Sequence, residues 1–372
     1  MPEMINWQRI WNDDGIINRY SVFKIIASAL SWPYRLIINF RNRLYDKKIL
    51  AVIKLPCPVI SVGNITVGGT GKTPCVIMMA QMLRTHGFRP AILSRGYGGK
   101  NAKQVSIISD GKNILLDSKT AGDEPFLMAQ SLKNIPIIVG PKRIKTGRVA
   151  INQFCANVLI CDDAMQHRKI FRDIDLVLLD SQNPLSNSHI MPRGMLREPI
   201  AGLKRASALM FTRTDEASKA DNNSNLTQLV NGPIFTSIHK VRDVMKGDYC
   251  DIWPISKLSG KKVCAFCGIA KPDSFKKSLL TAQAQILSWD TFPDHHNYSL
   301  DELEKIKKKF HNCGADIIIT TEKDGMRLQN FREFLRIIYL LRIEMEVTPS
   351  RELFDKFILD RLATASTHTL IK

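Results

Sequence analysis

Residues 58–74 read Pro-Val-Ile-Ser-Val-Gly-Asn-Ile-Thr-Val-Gly-Gly-Thr-Gly-Lys-Thr-Pro. A β-branched apolar run, Val59, Ile60 and Val62, enters a glycine-rich turn that closes on Gly71-Lys72-Thr73, and an apolar segment of helical period follows. Strand, loop and helix in that order make a P-loop. Its glycines let successive backbone N–H groups converge on phosphate oxygens, and the helix N-terminus adds partial positive charge. The cradle comprises Thr66, Val67, Gly68, Gly69, Thr70, Gly71, Lys72 and Thr73. Lys72 is placed to reach the β- and γ-phosphates, and the Thr73 hydroxyl to ligate Mg²⁺. Thr66 stands where the generic G-x-x-x-x-G-K-[ST] pattern has its first glycine. The bland alternative, a glycine-rich turn with an accidental Gly-Lys-Thr, leaves the register of strand, glycines and helix unexplained.

The chain around this stretch is long enough for two ordinary domains, at 372 residues and 44% hydrophobic content. A net charge of +18 attracts nucleic acid, anionic membrane or phosphorylated substrate alike, and composition does not choose among them. The basic residues are dispersed, however, with no aromatic-interleaved cluster beyond the N-terminal segment, so no nucleic-acid partner is expected. The eight cysteines are scattered and no secretory signal pattern opens the chain. Cys264-Ala-Phe-Cys267 is a lone C-x-x-C in a strand-like run, which points to reduced, buried thiols ahead of zinc or redox chemistry.

Upstream, residues 16–45 mix Ile16, Ile17, Tyr20, Phe23, Ile25, Ile26, Leu30, Trp32, Ile37 and Phe40 with Arg19, Lys24, Arg35, Arg41 and Arg43. The uncharged run between Lys24 and Arg35 holds ten residues, short of the roughly 20 that a spanning helix needs, and Pro33 is expected to interrupt it. Two readings stand: a helix lying in an anionic membrane interface, favoured by the aromatics and flanking cations, and a hydrophobic helix packed on the core.

Downstream of residue 58, strand-like and helix-like segments alternate, the signature of a parallel sheet covered on both faces. Strands are expected at 89–94, 105–109, 135–139, 158–161, 175–179 and 208–211, with helices at 73–86 and after Gly122-Asp-Glu-Pro and Pro141-Lys-Arg. Residues 214–231 are polar and read as a helix and exposed loop. An extended strand at 233–239 leads to a second α/β unit, with strands at 262–266, 285–289 and 315–320. Its helices are expected at 271–280 and 299–310, the second opened by a capping box on Ser299 and Glu302. A return strand at 337–347 and a closing helix at 351–362 complete the chain.

A phosphate loop needs a metal partner, normally a carboxylate at the end of a nearby hydrophobic strand. Leu159-Ile160-Cys161-Asp162-Asp163 supplies two, and adjacent anions there are a poor structural choice unless a cation holds them. Either carboxylate is a candidate for direct contact with Mg²⁺. Thr212-Arg-Thr-Asp215 resembles the guanine-recognition T-K-x-D of GTPases with Arg for Lys, which makes a GTPase the first rival reading. Asp294-His295-His296 is either a base–orienter dyad or metal ligand, or a plain surface loop.

Together these segments resemble the tetraacyldisaccharide 4′-kinase family. The resemblance rests on Ser61–Pro74, Ser94-Arg-Gly-Tyr-Gly-Gly, Gly122-Asp-Glu-Pro, Asp162-Asp-Ala-Met-Gln-His, Gly194-Met-Leu-Arg-Glu-Pro and Asp294-His295, in the family's order across nearly the whole chain. Thr66 is the family's own form of the loop. The resemblance implies a P-loop NTPase-like α/β/α domain at 51–231, with a C-terminal helix at 350–365 packing back on it. A smaller α/β/α domain at 232–348 would be joined to it by a two-stranded β linker, and 1–50 would form the membrane-interfacial segment. It further implies transfer of the ATP γ-phosphate to the 4′-hydroxyl of an acylated disaccharide 1-phosphate glycolipid, giving lipid IVA, by a monotopic protein on the cytoplasmic face of the bacterial inner membrane. Asp123 and His295 carry over as the catalytic dyad, with Lys72 on the phosphates and Thr73, Asp162 and Asp163 for Mg²⁺. Gln166, His167, Arg197 and Glu198 carry over as contacts to the lipid headgroup. Ala164-Met165 departs from the family's usual Gly-Phe, which bears on the loop's conformation.

Overall fold

The structure is a computed structural model describing residues 21–96, 99, 104–215 and 224–367. Residues 16–20 of the amphipathic stretch, Tyr97 and Gly98 of the Ser94–Gly99 motif, and the polar residues 216–223 lie outside that range.

Helix α1 (Ser21–Asp46) runs through Pro33 without a break, against expectation. Ala29 and Pro33 both lie on the exposed face, where water can take the carbonyl that the proline leaves without a donor. The helix meets the body along one narrow stripe. Ala27 and Ile38 are buried, Ser31 Oγ donates to the Ile190 carbonyl (2.8 Å), and Tyr34 Oη donates to that of Arg197 (3.0 Å). The wider apolar face points outward, with Ile25 69%, Trp32 67%, Phe40 65% and Ile37 64% exposed. No helix among the described residues is long and apolar enough to cross a membrane.

Strands β1 (Val59–Gly63), β2 (Pro90–Ser94), β3 (Ser106–Ser109), β4 (Ile137–Val139), β5 (Val158–Asp162), β6 (Ile174–Asp180) and β7 (Ala208–Thr212) form the first unit. The long β8 (Ile234–Lys246) leads out of it, with the short β9 (Ile252–Trp253) beside it. Strands β10 (Lys262–Cys267), β11 (Gln285–Thr291) and β12 (Ile317–Thr321) make the second unit, and β13 (Ile338–Thr348) returns. The helices that matter below are α2 (Lys72–Thr85), α3 (Asp123–Ser131), α4 (Arg143–Phe154), α5 (Pro272–Thr281), α6 (Leu300–Cys313), α7 (Glu322–Arg327) and α8 (Arg351–Thr367).

All strands join one sheet in the order β11-β10-β12-β13-β8-β7-β6-β1-β5-β2-β4-β3. The short β9 lies antiparallel beside β8, and along the main order two further pairs depart from parallel. The edge strand β3 pairs antiparallel with β4, and β8 pairs antiparallel with β13. Strand β8 leaves parallel to β7, while β13 returns parallel to β12. The C-terminal strand ends of the two units therefore face each other across one cleft, the place where open α/β sheets bind ligands.

Strand β1 is buried on both faces, which is why its sequence is apolar without alternation. Ile60 and Val62 pack with Cys75, Met79 and Leu83 of α2 and with Phe354, Ile358 and Leu362 of α8. On the other face Val59 joins Leu159 and Ala150. In the second unit Cys264 and Phe266 meet Leu303 and Ile306 of α6, while Cys267 meets Phe275 and Leu279 of α5. Both cysteines of the C-x-x-C are unbridged, and burial pushes their thiols up to about 11 and about 12.

Candidate active site

The cleft holds a cavity of about 1380 Å³ walled by the P-loop, the ends of β2 and β5, the start of α3, α1, the 269–271 loop with the start of α5, and the loop at 294–295. Gly68 (φ 115°) and Gly71 (φ 84°) give the P-loop its left-handed turns. A Cβ on Gly71 would lie 2.8 Å from His239 Nε2 of the linker strand β8. Thr66 needs no such freedom, because it forms an antiparallel bridge with Leu196. The loop is pinned from several sides. Val67 N donates to Met195 O (2.8 Å), Asn64 Nδ2 to Thr70 Oγ1 (3.0 Å) and Thr212 Oγ1 to Thr70 O (3.1 Å).

Arg213 donates through Nη2 to Gly69 O (2.6 Å) and through Nη1 to Asp180 at the end of β6. Its guanidinium is thus committed to the phosphate loop, which removes the basis for reading Thr212-Arg-Thr-Asp215 as a guanine clamp.

The two aspartates after β5 have different surroundings. Asp163, in a left-handed turn (φ 48°), accepts from Arg197 Nη1 at 2.8 Å through both oxygens, and its Oδ1 lies 3.6 Å from Lys72 Nζ. Burial alone would raise this carboxyl, but Lys72 and Arg197 hold it below the usual range. Asp162 accepts from Ser94 Oγ (3.0 Å) through Oδ2, and its buried Oδ1 has no hydrogen-bond partner among the described residues. Burial, with Glu124 and Asp163 nearby, holds its carboxyl well above the usual range.

A divalent cation beside Asp162 would satisfy the orphaned oxygen and relieve this crowding, so the residues present fit Mg²⁺. Among the described residues no three His, Cys, Asp or Glu side chains converge as a cluster. The Ala164-Met165 departure is accommodated. Both residues are fully buried, and Met165 packs with Ile65 and Leu196 beneath Gly63, where any Cβ would come within 2.7 Å of Met165 Cβ.

Asp123 opens α3 behind Gly122 (φ 87°). Across the cleft His295 (φ 60°) puts Nδ1 3.3 Å from Asp123 Oδ2, and the Asp294 side chain accepts from the His295 backbone N–H (3.0 Å). That backbone conformation costs an L-residue about 1–2 kcal/mol, offset here by the Asp294 contact. His296 faces away and pairs with Glu302 (3.1 Å). Sequence reasoning missed Arg327. Its Nε donates to Asp123 Oδ2 (2.7 Å) and its Nη2 lies 3.2 Å from His295 Nδ1. It also missed Lys323, which donates to Glu124 (3.3 Å). Burial raises the Asp123 carboxyl, but the bonds from His295 and Arg327 outweigh it and hold the carboxyl below the usual range. The available signal was Thr320-Thr-Glu-Lys-Asp324 at a strand end, with Arg327 three residues on.

Of the four headgroup residues, Gln166, His167 and Arg197 line the cavity. Glu198 does not. It is fully buried, accepting from Arg205 Nη2 (2.6 Å) and from Gln166 Nε2 (2.9 Å), so it orients Gln166 from behind. Burial, with Arg143 and Arg172 nearby, pushes the His167 imidazole down to about 4, which keeps it neutral.

Residues 23–363 match the family model described as tetraacyldisaccharide-1-P 4′-kinase. The tetraacyldisaccharide 4′-kinase of Syntrophus aciditrophicus is 40% identical, covering 95% of this chain and 97% of its own length. That of Desulfatibacillum aliphaticivorans is 39% identical, covering 91% and 92%. The crystal structure of LpxK from Aquifex aeolicus in complex with ATP superposes with a TM-score of 0.72 at 32% identity, covering 90% of this chain and 98% of that one.

Proposed function

The chain belongs to the tetraacyldisaccharide 4′-kinase family, and from that premise we propose how its residues divide the work. The enzyme transfers the γ-phosphate of ATP to the 4′-hydroxyl of tetraacyldisaccharide 1-phosphate, giving lipid IVA in lipid A biosynthesis, and uses ATP with Mg²⁺. The observation that carries the residue assignment is that one cavity joins a pinned P-loop to a carboxylate–imidazole pair drawn from opposite walls.

Residues 66–73 cradle the nucleotide phosphates, with Lys72 on the β- and γ-oxygens. Asp162 and Thr73 hold Mg²⁺, which supplies charge neutralisation on the transferred group. Asp163 keeps Lys72 and Arg197 in place through its ion pairs. An unactivated hydroxyl must lose its proton as it attacks phosphorus. His295 Nε2 takes that proton while Asp123 accepts from Nδ1–H and orients the ring. The low-lying Asp123 carboxyl supports this division, since it is a weak proton acceptor and a good orienter. Gln166, His167 and Arg197 contact the sugar and phosphate of the acceptor, with Glu198 behind them.

Helix α1 rests on a membrane interface, on the cytoplasmic face of the bacterial inner membrane, and delivers the lipid. Support comes from its outward Ile25, Trp32, Ile37 and Phe40, each standing to gain on the order of 1.5–3 kcal/mol on leaving water. Exposed Arg35, Arg43, Lys47 and Lys48 suit an anionic surface. Tyr34, Ile38 and Arg41 of the same helix line the cavity, so the surface that meets the lipid is continuous with the site. The test is transfer of labelled γ-phosphate from ATP to the acylated disaccharide 1-phosphate in detergent micelles. Labelled lipid is expected, and GTP hydrolysis with no lipid product would defeat the reading.

A further inference from the structure

We propose that residues 47–54, with Lys169 and Phe171 beside them, form a second membrane-docking ledge that binds an anionic bilayer next to α1, an inference resting on the membrane-bound reading of the protein above. The ledge is tied to the body at both ends. At its start Ile49 N donates to Leu44 O (2.9 Å), in the last turn of α1. At its end Ile53 N donates to Lys169 O and Phe171 N to Ile53 O, both at 2.9 Å, so the two stretches run side by side. Arg168 joins them to the helix, donating to Asn42 O (3.0 Å) and to Asp46 Oδ1 (2.7 Å).

Its side chains divide cleanly between inside and outside. Leu55 and Ile170 are buried with Ala150 and Leu159. Their sequence neighbours Lys54, Lys169 and Phe171 are exposed, as alternation along extended backbone requires. Every exposed side chain along 47–54 and 168–171 is either a lysine or apolar, except for none that carries a negative charge. Ile49 is 65% exposed, Val52 45% and Phe171 41%, and Lys54 Nζ stands 5.3 Å over the Phe171 ring. The nearby carboxylates are already engaged: Asp46 with Arg168, Asp173 with the Val59 N–H (2.8 Å) and Asp175 with Arg172 (3.0 Å).

This chemistry fits a bilayer better than a nucleic acid or an acidic protein. Ile49 and Val52 gain nothing against a phosphodiester backbone. At a membrane interface they enter the acyl boundary, while the lysine stems lie along the apolar surface and carry their charges back to headgroup phosphates. One weak anchor gives only marginal, reversible binding, and stable attachment takes a second signal. The position of the ledge decides what that second contact does. Lys169 and Phe171 lie in the same loop as Gln166 and His167, which line the cavity. A helix resting on a surface by itself can roll about its axis. Contact along this loop stops the roll and holds that wall of the cavity at the lipid.

The experiment measures partition of the full-length protein onto vesicles of phosphatidylethanolamine with phosphatidylglycerol, and kcat in micelles containing ATP and the acylated disaccharide 1-phosphate. Lys54→Glu with Lys169→Glu should weaken partition by roughly 20-fold, the scale of two lysines near an anionic surface, and should flatten its salt dependence. Val52→Ser with Phe171→Ser should weaken partition about tenfold on the same vesicles. Both variants should keep kcat in micelles near the wild-type value, since none of the four residues lines the cavity. Wild-type partition in K54E/K169E, with I25D/I37D released, would overturn the ledge and leave α1 as the anchor. The reverse pattern would overturn the role of α1 and leave the ledge. Equally tight partition of the wild-type protein onto zwitterionic phosphatidylcholine vesicles, or collapse of micellar kcat in K54E/K169E, would also overturn the ledge.

Discussion

The phosphate half of the site and the hydroxyl half differ in how many parts of the chain must meet to build them. The cradle is one contiguous loop, and its pins from Met195, Thr212 and Arg213 all come from the first unit. The hydroxyl half takes Asp123 from α3 and His295 and Arg327 from the second unit, with Asp123 and His295 separated by 172 positions. On the proposed assignment, phosphate binding would be built in advance, while proton transfer would require the two units to be together, an arrangement that would also keep water from the transferring phosphate. The antiparallel pair β8–β13 is the element that aims one set of strand ends at the other.

Changes in the two halves should read out differently. The largest effect is expected from Lys72→Met, which removes the charge on the transferring group and should lower kcat by about 10³-fold. In the same half, Arg213→Gln releases Gly69 from Asp180. It should weaken ATP binding roughly tenfold, the scale of one charged hydrogen bond, with a smaller effect on kcat. Steady-state turnover checks the first and titration of a fluorescent ATP analogue the second, and unchanged affinity in R213Q would mean the loop holds its shape without the pin. The smallest effect on chemistry is expected on the outer face of α1. Ile25→Asp with Ile37→Asp should leave turnover in micelles within about twofold, because neither residue lines the cavity. The same variant should lose sedimentation with anionic vesicles, where each buried apolar side chain contributes on the order of 1.5–3 kcal/mol. Full retention on vesicles would place the membrane contact elsewhere.

The same contrast explains what could be read from the sequence. Residues 58–74 and the Asp162-Asp163 strand end carry their meaning locally, since a strand, its terminal loop and the next helix N-terminus lie together in sequence. Asp123 has no local signature, and His295 shows only an Asp–His pair that a plain surface loop carries equally well. They came from the order of motifs shared with the family, and the fold supplies the geometry. Arg327 was hidden because the polar strand end Thr320–Asp324 marks a loop of interest but not that α7 will present its last residue to a carboxylate from the other unit. Glu198 was carried over from the family resemblance as a headgroup contact, and the fold instead buries its carboxylate against Arg205, behind Gln166. Pro33 lies on the exposed face of α1, where the helix passes through it without the expected break.

The measurement that bears most directly on a dyad assembled between the units is a double-mutant cycle on Asp123 and His295, with kcat and ATP affinity determined for both single variants and the pair. The account predicts that Asp123→Ala and His295→Ala each lower kcat by about 10²–10³-fold with ATP affinity unchanged, and that the double variant is no worse than either single one. Fully additive losses, or a His295→Ala enzyme that keeps near-normal turnover, would contradict it.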